Sequence, residues 1–421
     1  MSYPTFPSWH STTNMFKITF NFILIASFTT HVTLVMSTLG GNHNDNINQS
    51  NPFGFGSQTT GGGSSLAQTP SSLKELESWL SDNVPRVILI DREFDFTYSE
   101  GNKTEIGCSP WPKCNKKGTE TQNARNSNGW CNSNQKKKKI SHPNQTISSV
   151  SITYHLAAIK PLGVGHKGVI KGKGLAIQNQ KNIIIQNIHI TGLNPDLVWG
   201  GDGLSVMDAQ DVWVDHCTFS LIGREMIVLG FGPNIGVTLS NNLFNGTTRW
   251  SPSCRNKHYW CILVAGKQEI TMANNCIHQT SGRSPKMGGS DDSDVKIHYY
   301  NNIHTDGEGK GLEVEKGAKM LAEGNLFKNS YPVNKDDADT ENGGYAYVPF
   351  TQEEVTKCYA YLGRPCVSNE VVGKKGKTYN FGKSVNVLET FKGASVIKSS
   401  KIEPTTALVK GPPGGCGVGL M

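Results

Sequence analysis

Six stretches of this chain, 183–190, 212–219, 237–244, 270–277, 297–304 and 320–327, share one frame when set beneath one another. An apolar or small residue recurs at the first and third places. A polar turn residue, most often Asn, comes at the fifth or sixth, and in five of the six an apolar residue closes the eighth place. The alternation is that of a strand with one buried face. The starts are roughly 27 residues apart, which is a solenoid period. A helical repeat would show an i, i+3, i+4 stripe, and a leucine-rich repeat would show its Leu-x-x-Leu-x-Leu frame; neither is present. An irregular β-sandwich would require the matches to coincide by chance. The expected fold is therefore all-β, a right-handed single-stranded parallel β-helix in which each coil stacks its strands on the last. Asn at each turn would bond the turns above and below and so satisfy groups otherwise buried unpaired.

Composition agrees. The 421 residues are 36% hydrophobic and only 18% charged, with 46 Gly, which excludes a coiled coil and wholesale disorder. The net charge of +7 invites a nucleic-acid reading, but four of the charges sit in one run at 136–139. No helix-turn-helix, zinc-knuckle or RNA-binding signature accompanies that run, so it is read as a solvated loop and no nucleic-acid partner is expected.

The N-terminus is organised as an address. Residues 18–36 are mostly apolar behind Lys17, and Ser37 and Gly40 follow. Asn21, Thr29, Thr30 and His31 interrupt the run and make it a poor spanning helix. Residues 1–40 are thus expected to be a signal peptide, with Met15 as a possible start, giving a secreted protein without stable membrane association. Residues 41–72, rich in Gly, Asn, Ser, Gln and Thr, suggest a flexible leader, and 73–421 the β-helix domain with a C-terminal tail. Ten Cys without paired Cys-x-x-Cys motifs point to disulfides in an oxidising compartment rather than to zinc. Asn48, Asn102, Asn144 and Asn245 head glycosylation sequons.

Several strings carry a family resemblance: Gly168-Val-Ile-Lys-Gly-Lys-Gly174, Val198-Trp-Gly-Gly-Asp-Gly203, Val212-Trp-Val-Asp-His216, Leu221-Ile-Gly-Arg224, His258-Tyr-Trp260 and Ser281-Gly-Arg-Ser-Pro-Lys286. From about Leu73 onward the chain resembles the pectin lyases of the polysaccharide lyase family that also contains pectate lyases. The resemblance implies a cleft on one side of the β-helix, walled by long loops. It also implies cleavage of methyl-esterified homogalacturonan by β-elimination, with pectin as partner, no cofactor, no metal and a monomeric chain. It further implies the bridges Cys108–Cys131, Cys114–Cys254 and Cys358–Cys366, leaving Cys217, Cys261, Cys276 and Cys416 open. Two other readings remain: a calcium-dependent pectate lyase, and a non-catalytic wall-binding protein on the same scaffold.

β-Elimination removes the C5 proton of a galacturonate unit and expels the C4 oxygen, while negative charge develops on the C6 carbonyl oxygen; fixed cations there lower the barrier. Arg283 matches the family's catalytic arginine. Arginine is a poor base, so the neighbouring cation Arg224 and a cleft of low polarity are expected to bring Arg283 down, with Asp202 orienting both arginines. Trp111, Trp130, Trp199, Tyr259 and Trp260 match cleft positions, where aromatic faces stack on sugar rings. Lys286 is expected to contact a substrate carbonyl or hydroxyl. Asp215 and His216 are adjacent on a strand and should face opposite ways, so His216 is read as part of the turn ladder. Leu263, where the family often has an aromatic, and the 136–139 run near Trp130 depart from the pattern. After His216 the chain offers Gly223-Arg224 and one acid, Glu225, rather than a carboxylate pair spaced for calcium.

Overall fold

The first and third places of the repeat point inward. Ile183, Val212, Val237, Ile270, Ile297 and Met320 pair in register across one sheet, as do Ile185, Val214, Leu239, Met272, Tyr299 and Ala322. All are fully buried. In this computed structural model, residues 51–421 are described except 83, 133–135, 145–148, 154–158, 310, 331, 333–342, 374–381, 409–414 and 421. The expected signal peptide at 1–40 lies outside the described residues.

Each coil visits three parallel sheets, of ten, nine and seven strands. One coil runs through Lys181–Gln186, His189–Leu193 and Leu204–Met207, and the next begins with Ala209–Asp215, paired in parallel on Lys181–Gln186. This is the expected parallel β-helix. The core is one continuous apolar column, with Phe219 and Phe244 stacked at 5.5 Å on successive coils.

The polar turn of the repeat resolves into two rows. Asn187, His216, Asn241, Asn274 and Asn301 occupy the left-handed region, with φ between 50° and 57°, where Asn is tolerated best among non-glycine residues. The following residues form a buried ladder. The Cys217 amide donates to Asn242 Oδ1, Asn242 to Asn275, Asn275 to Asn302, Asn302 to Asn325 and Asn325 to Asn369, at 2.8–3.0 Å. Each Asn Nδ2 also donates to a carbonyl of the coil before: Val214, Leu239, Met272, Tyr299 and Ala322 in turn. His216 stands in the outer row. Its left-handed turn swings the ring back, so that Nδ1 lies 2.7 Å from Asp215 Oδ2. Simple alternation had set these two side chains apart.

The sequence implied one buried face per strand, but the outer face of the ten-stranded sheet is buried too. Trp213, Thr238, Thr271, His298 and Leu321 are all inaccessible. Part of the cover is the stretch expected to be a flexible leader: Phe55 N donates to Thr271 Oγ1 (3.0 Å), Gly56 N to Thr238 Oγ1 (2.9 Å), and Ala67–Gln68 pairs with Arg86–Ile90. Its glycines serve close approach. A Cβ on Gly54, whose φ is +64°, would lie 2.4 Å from Thr271 Oγ1. Residues 51–72 therefore belong to the fold. The helix Leu73–Ser81, capped by Ser72, buries Leu76 and Leu80 beside Ile88 and Ile90. C-terminal helices bring Leu362, Val387, Leu388 and Ile397 onto Leu321.

The bridges Cys108–Cys131, Cys114–Cys254 and Cys358–Cys366 are present. A fourth, Cys276–Cys416, ties the tail to the nine-stranded sheet, while Cys217 and Cys261 are buried thiols. No helix among the described residues is long and apolar enough to cross a membrane.

Replacing a ladder residue leaves buried donors of the neighbouring coil unpaired. Asn302→Leu should destabilise the fold by roughly 2–4 kcal/mol, read as a lower urea midpoint. An unchanged midpoint would show that the ladder is dispensable.

Candidate active site

The seven-stranded sheet pairs Ser205 with Val228, Val228 with Leu263 and Leu263 with Lys286. Three residues upstream of these stand Asp202, Glu225, Trp260 and Arg283, so coil stacking collects them at one corner. Arg224 Nη1 lies 3.1 Å from Asp202 Oδ2, and the Glu225 amide donates to Asp202 Oδ1 at 3.0 Å. Arg283 Nη1 pairs with Glu225 Oε1, and the Arg283 amide donates to Glu313 Oε1 at 2.9 Å. Each guanidinium lies over an indole: Arg224 is 4.1 Å from the Trp199 ring centre and Arg283 4.7 Å from that of Trp260. The arginine side chains are 13% and 15% exposed, respectively, and Glu225 is fully buried. Trp199 and Arg283 hold positive φ, 64° and 46°, a conformation that bulky residues keep only where their surroundings enforce it.

The electrostatics correct one expectation. Burial disfavours the Arg283 cation, but Glu225, Tyr259 and Glu313 outweigh it and hold the guanidinium above its ordinary value. Arg224 and the dry cleft were expected to bring it down; the carboxylates packed on it reverse the direction. Burial likewise pushes the Glu225 carboxyl up, against the pull of Arg283 and Arg224. Asp202 orients Arg224 alone, and Arg283 answers to Glu225. Neither Glu225 nor Glu313 was singled out for this role from sequence, although Glu225 directly follows the Ile-Gly-Arg string.

All five expected aromatics meet here. Trp111 is 6.1 Å from Trp130 and 6.5 Å from Trp260, and Tyr259 stands edge-on to Trp260 at 4.9 Å. They pack on Ala124, Val198 and the Cys108–Cys131 bridge; Trp260 is nearly buried and the other four partly exposed. Lys286 Nζ pairs with Glu315 at 2.9 Å, and Leu263 is buried. The basic run is not a loop. It opens the strand Lys136–Pro143, which pairs with Asn102–Ser109 at the edge of a four-stranded sheet. Its backbone is paired while the lysines stay exposed, as suits an edge strand.

Two supporting residues were given no role from sequence, although one of them, His258, opens the His258-Tyr-Trp260 string. Gln122, fully buried, donates from Nε2 to the Pro195 and Gly223 carbonyls (both 2.9 Å) and accepts from Trp260 Nε1 at 3.1 Å. It thereby fixes Trp260 to the residue before Arg224. His258 Nε2 donates to the Arg224 and Trp260 carbonyls at 2.9 and 2.8 Å, and burial holds the ring down to about 4. His304 in the core is held down to about 3 for the same reason. Both rings stay neutral while folded and gain protons more readily when unfolded. Their stability contribution is complete above about pH 6.5 and is lost as pH falls towards 4 and then 3. The melting temperature should accordingly drop by several degrees between pH 7 and pH 4, and His304→Phe should flatten that drop.

Residues 138–348 match the family described as the right handed beta helix region. The probable pectin lyase F-2 of Aspergillus terreus is 44% identical over 347 residues, 79% of this chain and 67% of that protein. The probable pectin lyase F of Aspergillus flavus is 43% identical, covering 76% of this chain and 73% of its own length. That of Neosartorya fischeri is 42% identical, covering 76% and 83%. Among solved structures, a pectate lyase from Bacillus sp. N165 in complex with trigalacturonate aligns over 88% of this chain and 99% of its own, with a TM-score of 0.55 and 17% identity. A pectate lyase from Paenibacillus sp. 0602 aligns with a TM-score of 0.54, 14% identity and 88% and 96% coverage. At such identities the structural likeness shows the fold, a right-handed parallel β-helix.

Proposed function

This chain belongs to the pectin lyase family, and from that premise we propose that it cleaves methyl-esterified homogalacturonan by β-elimination, releasing 4,5-unsaturated oligogalacturonides. It acts as a secreted single chain in this reading. The observation that carries it is the pair of arginines on one corner of the coil, each stacked on an indole and fixed by a carboxylate. Such cations are preorganised: they need no rearrangement when charge appears on the C6 oxygen.

In the proposed reaction the substrate lies along Trp111, Trp130, Trp199, Tyr259 and Trp260, whose faces accept sugar rings without requiring ligand charge. Arg224, held by Asp202, faces the C6 carbonyl oxygen. Arg283 faces the C5 proton. An ester carbonyl acidifies C5–H more than a carboxylate does, so cationic side chains suffice for the esterified substrate. The pectate lyase alternative would need several free oxygens for calcium, whereas Asp202 and Glu225 each already hold an arginine.

Ultraviolet absorbance of the unsaturated product separates the readings. Turnover of highly esterified pectin that persists in EDTA is expected. Calcium dependence with faster cleavage of polygalacturonate would move the protein to the pectate branch. Arg283→Ala should lower kcat/KM by roughly 1,000-fold or more and Arg224→Ala by about 100-fold, with circular dichroism unchanged. Near-native turnover by Arg283→Ala would sink the assignment.

A further inference from the structure

A protonated guanidinium has no free electron pair, so an arginine that takes the C5 proton must pass one on. Arg283 has a direct outlet. Its Nη1 hydrogen bonds to Glu225 Oε1, and Glu225 Oε2, though buried, has no hydrogen-bond partner among the described residues. The fold contains its own control. Glu323 is equally buried and also holds an arginine, but both its oxygens are filled: Oε1 by His298 and Arg364, Oε2 by Arg364 and the Val367 amide. Burial would raise the Glu323 carboxyl, yet Arg364 and His298 hold it down to about 2, as befits a permanent structural anion. Glu225 differs on both counts: one oxygen is left open, and its carboxyl is pushed up by burial despite two arginines. An open oxygen on a buried carboxylate is costly unless it is used.

We infer that Glu225 is the terminal proton acceptor of the elimination, reached through Arg283. This rests on the lyase reading above. The Nη1 proton passes to Glu225 Oε1, and the electron pair this frees on Nη1 takes the C5 proton. The C5–H electron pair forms the C4=C5 double bond, the C4–O4 bond breaks, and O4 takes a proton from water. Glu225 then returns its proton through Arg283 to the hydroxide left behind. Arg283 is thus cationic before and after the transfer, no standing population of neutral arginine is needed, and Arg224 keeps its charge at the C6 oxygen throughout. Besides Arg283, the groups that act electrostatically on Glu225 are Arg224, Asp202 and the Cys261 thiol, while Tyr259 and Glu313 act on Arg283.

Glu225→Gln keeps the shape and an oxygen for Arg283 but cannot take a proton. On highly esterified pectin its kcat should fall at least ~100-fold with KM within about three-fold, and the acid limb of the wild-type pH profile should disappear. Glu225→Ala should regain turnover with rising formate, which supplies a carboxylate to the vacated space. Three results would overturn the inference: Glu225→Gln above a tenth of wild-type kcat, an acid limb that persists in that variant, or a folded Glu225→Ala that formate does not revive. Should Glu225→Ala fail to fold, the pH profile of Glu225→Gln decides alone. Wild-type protein that releases no unsaturated product from any pectin would instead refute the lyase reading itself.

Discussion

The structure depends on the hydrogen bonding of one coil to the next. Within a stacked parallel sheet every peptide group finds its partner above or below, but a sharp corner interrupts the pattern and strands polar groups inside. The Asn242–Asn275–Asn302–Asn325–Asn369 ladder fills that gap, since each Oδ1 accepts an amide N–H from the coil before. Each Nδ2 donates to a carbonyl of that coil, and all but the last Nδ2 also donate to the Asn Oδ1 of the coil after. With the corner closed in this way, register cannot slip without unpairing a whole row. The same register stacks Asp202, Glu225, Trp260 and Arg283 at another corner. The site therefore inherits its positions from the register that the ladder fixes.

Much of this was legible because it is periodic or carried by a motif. Ile183 and Ile185, and their counterparts on later coils, announced the inner face, and the arginines stood in strings specific enough to compare. What was not legible lacked either property. The glycines of 51–68 have the composition of a linker, and only the 2.4 Å clearance at Gly54 shows that they permit contact. The left-handed turn at His216 belongs to a backbone angle that strand alternation does not contain. Gln122 lies in an irregular loop, so its hold on Trp260 depends on where that loop lands. The Cys276–Cys416 bridge joins residues 140 apart, for which one sequence offers no pairing rule.

The two glutamates with fully buried side chains among the described residues, Glu225 and Glu323, have opposite characters. Each faces an arginine in a dry setting, where an ion pair is worth little unless the remaining lone pairs are satisfied. At Glu323 they are satisfied, and the group is a fixed anion that anchors the C-terminal segment through Arg364. At Glu225 they are not, and the pair is left short of its most stable arrangement. Stability and reactivity are thus separated within one fold by the number of hydrogen bonds each carboxylate receives.

The location of the site follows from the same separation. The Asn corner is made by a tight turn whose buried amide side chains are spent on bonding one coil to the next. The corner entering the seven-stranded sheet is built otherwise: the chain between Leu243–Asn245 and Ile262–Val264 makes a long excursion that carries Tyr259 and Trp260, and the Cys114–Cys254 bridge pins that excursion to the N-terminal loop. Side chains there do not have to close the coil, and the strands beneath them hold each within reach of the next. A rigid scaffold with one irregular corner is what allows cations to be fixed in advance of the charge they stabilise.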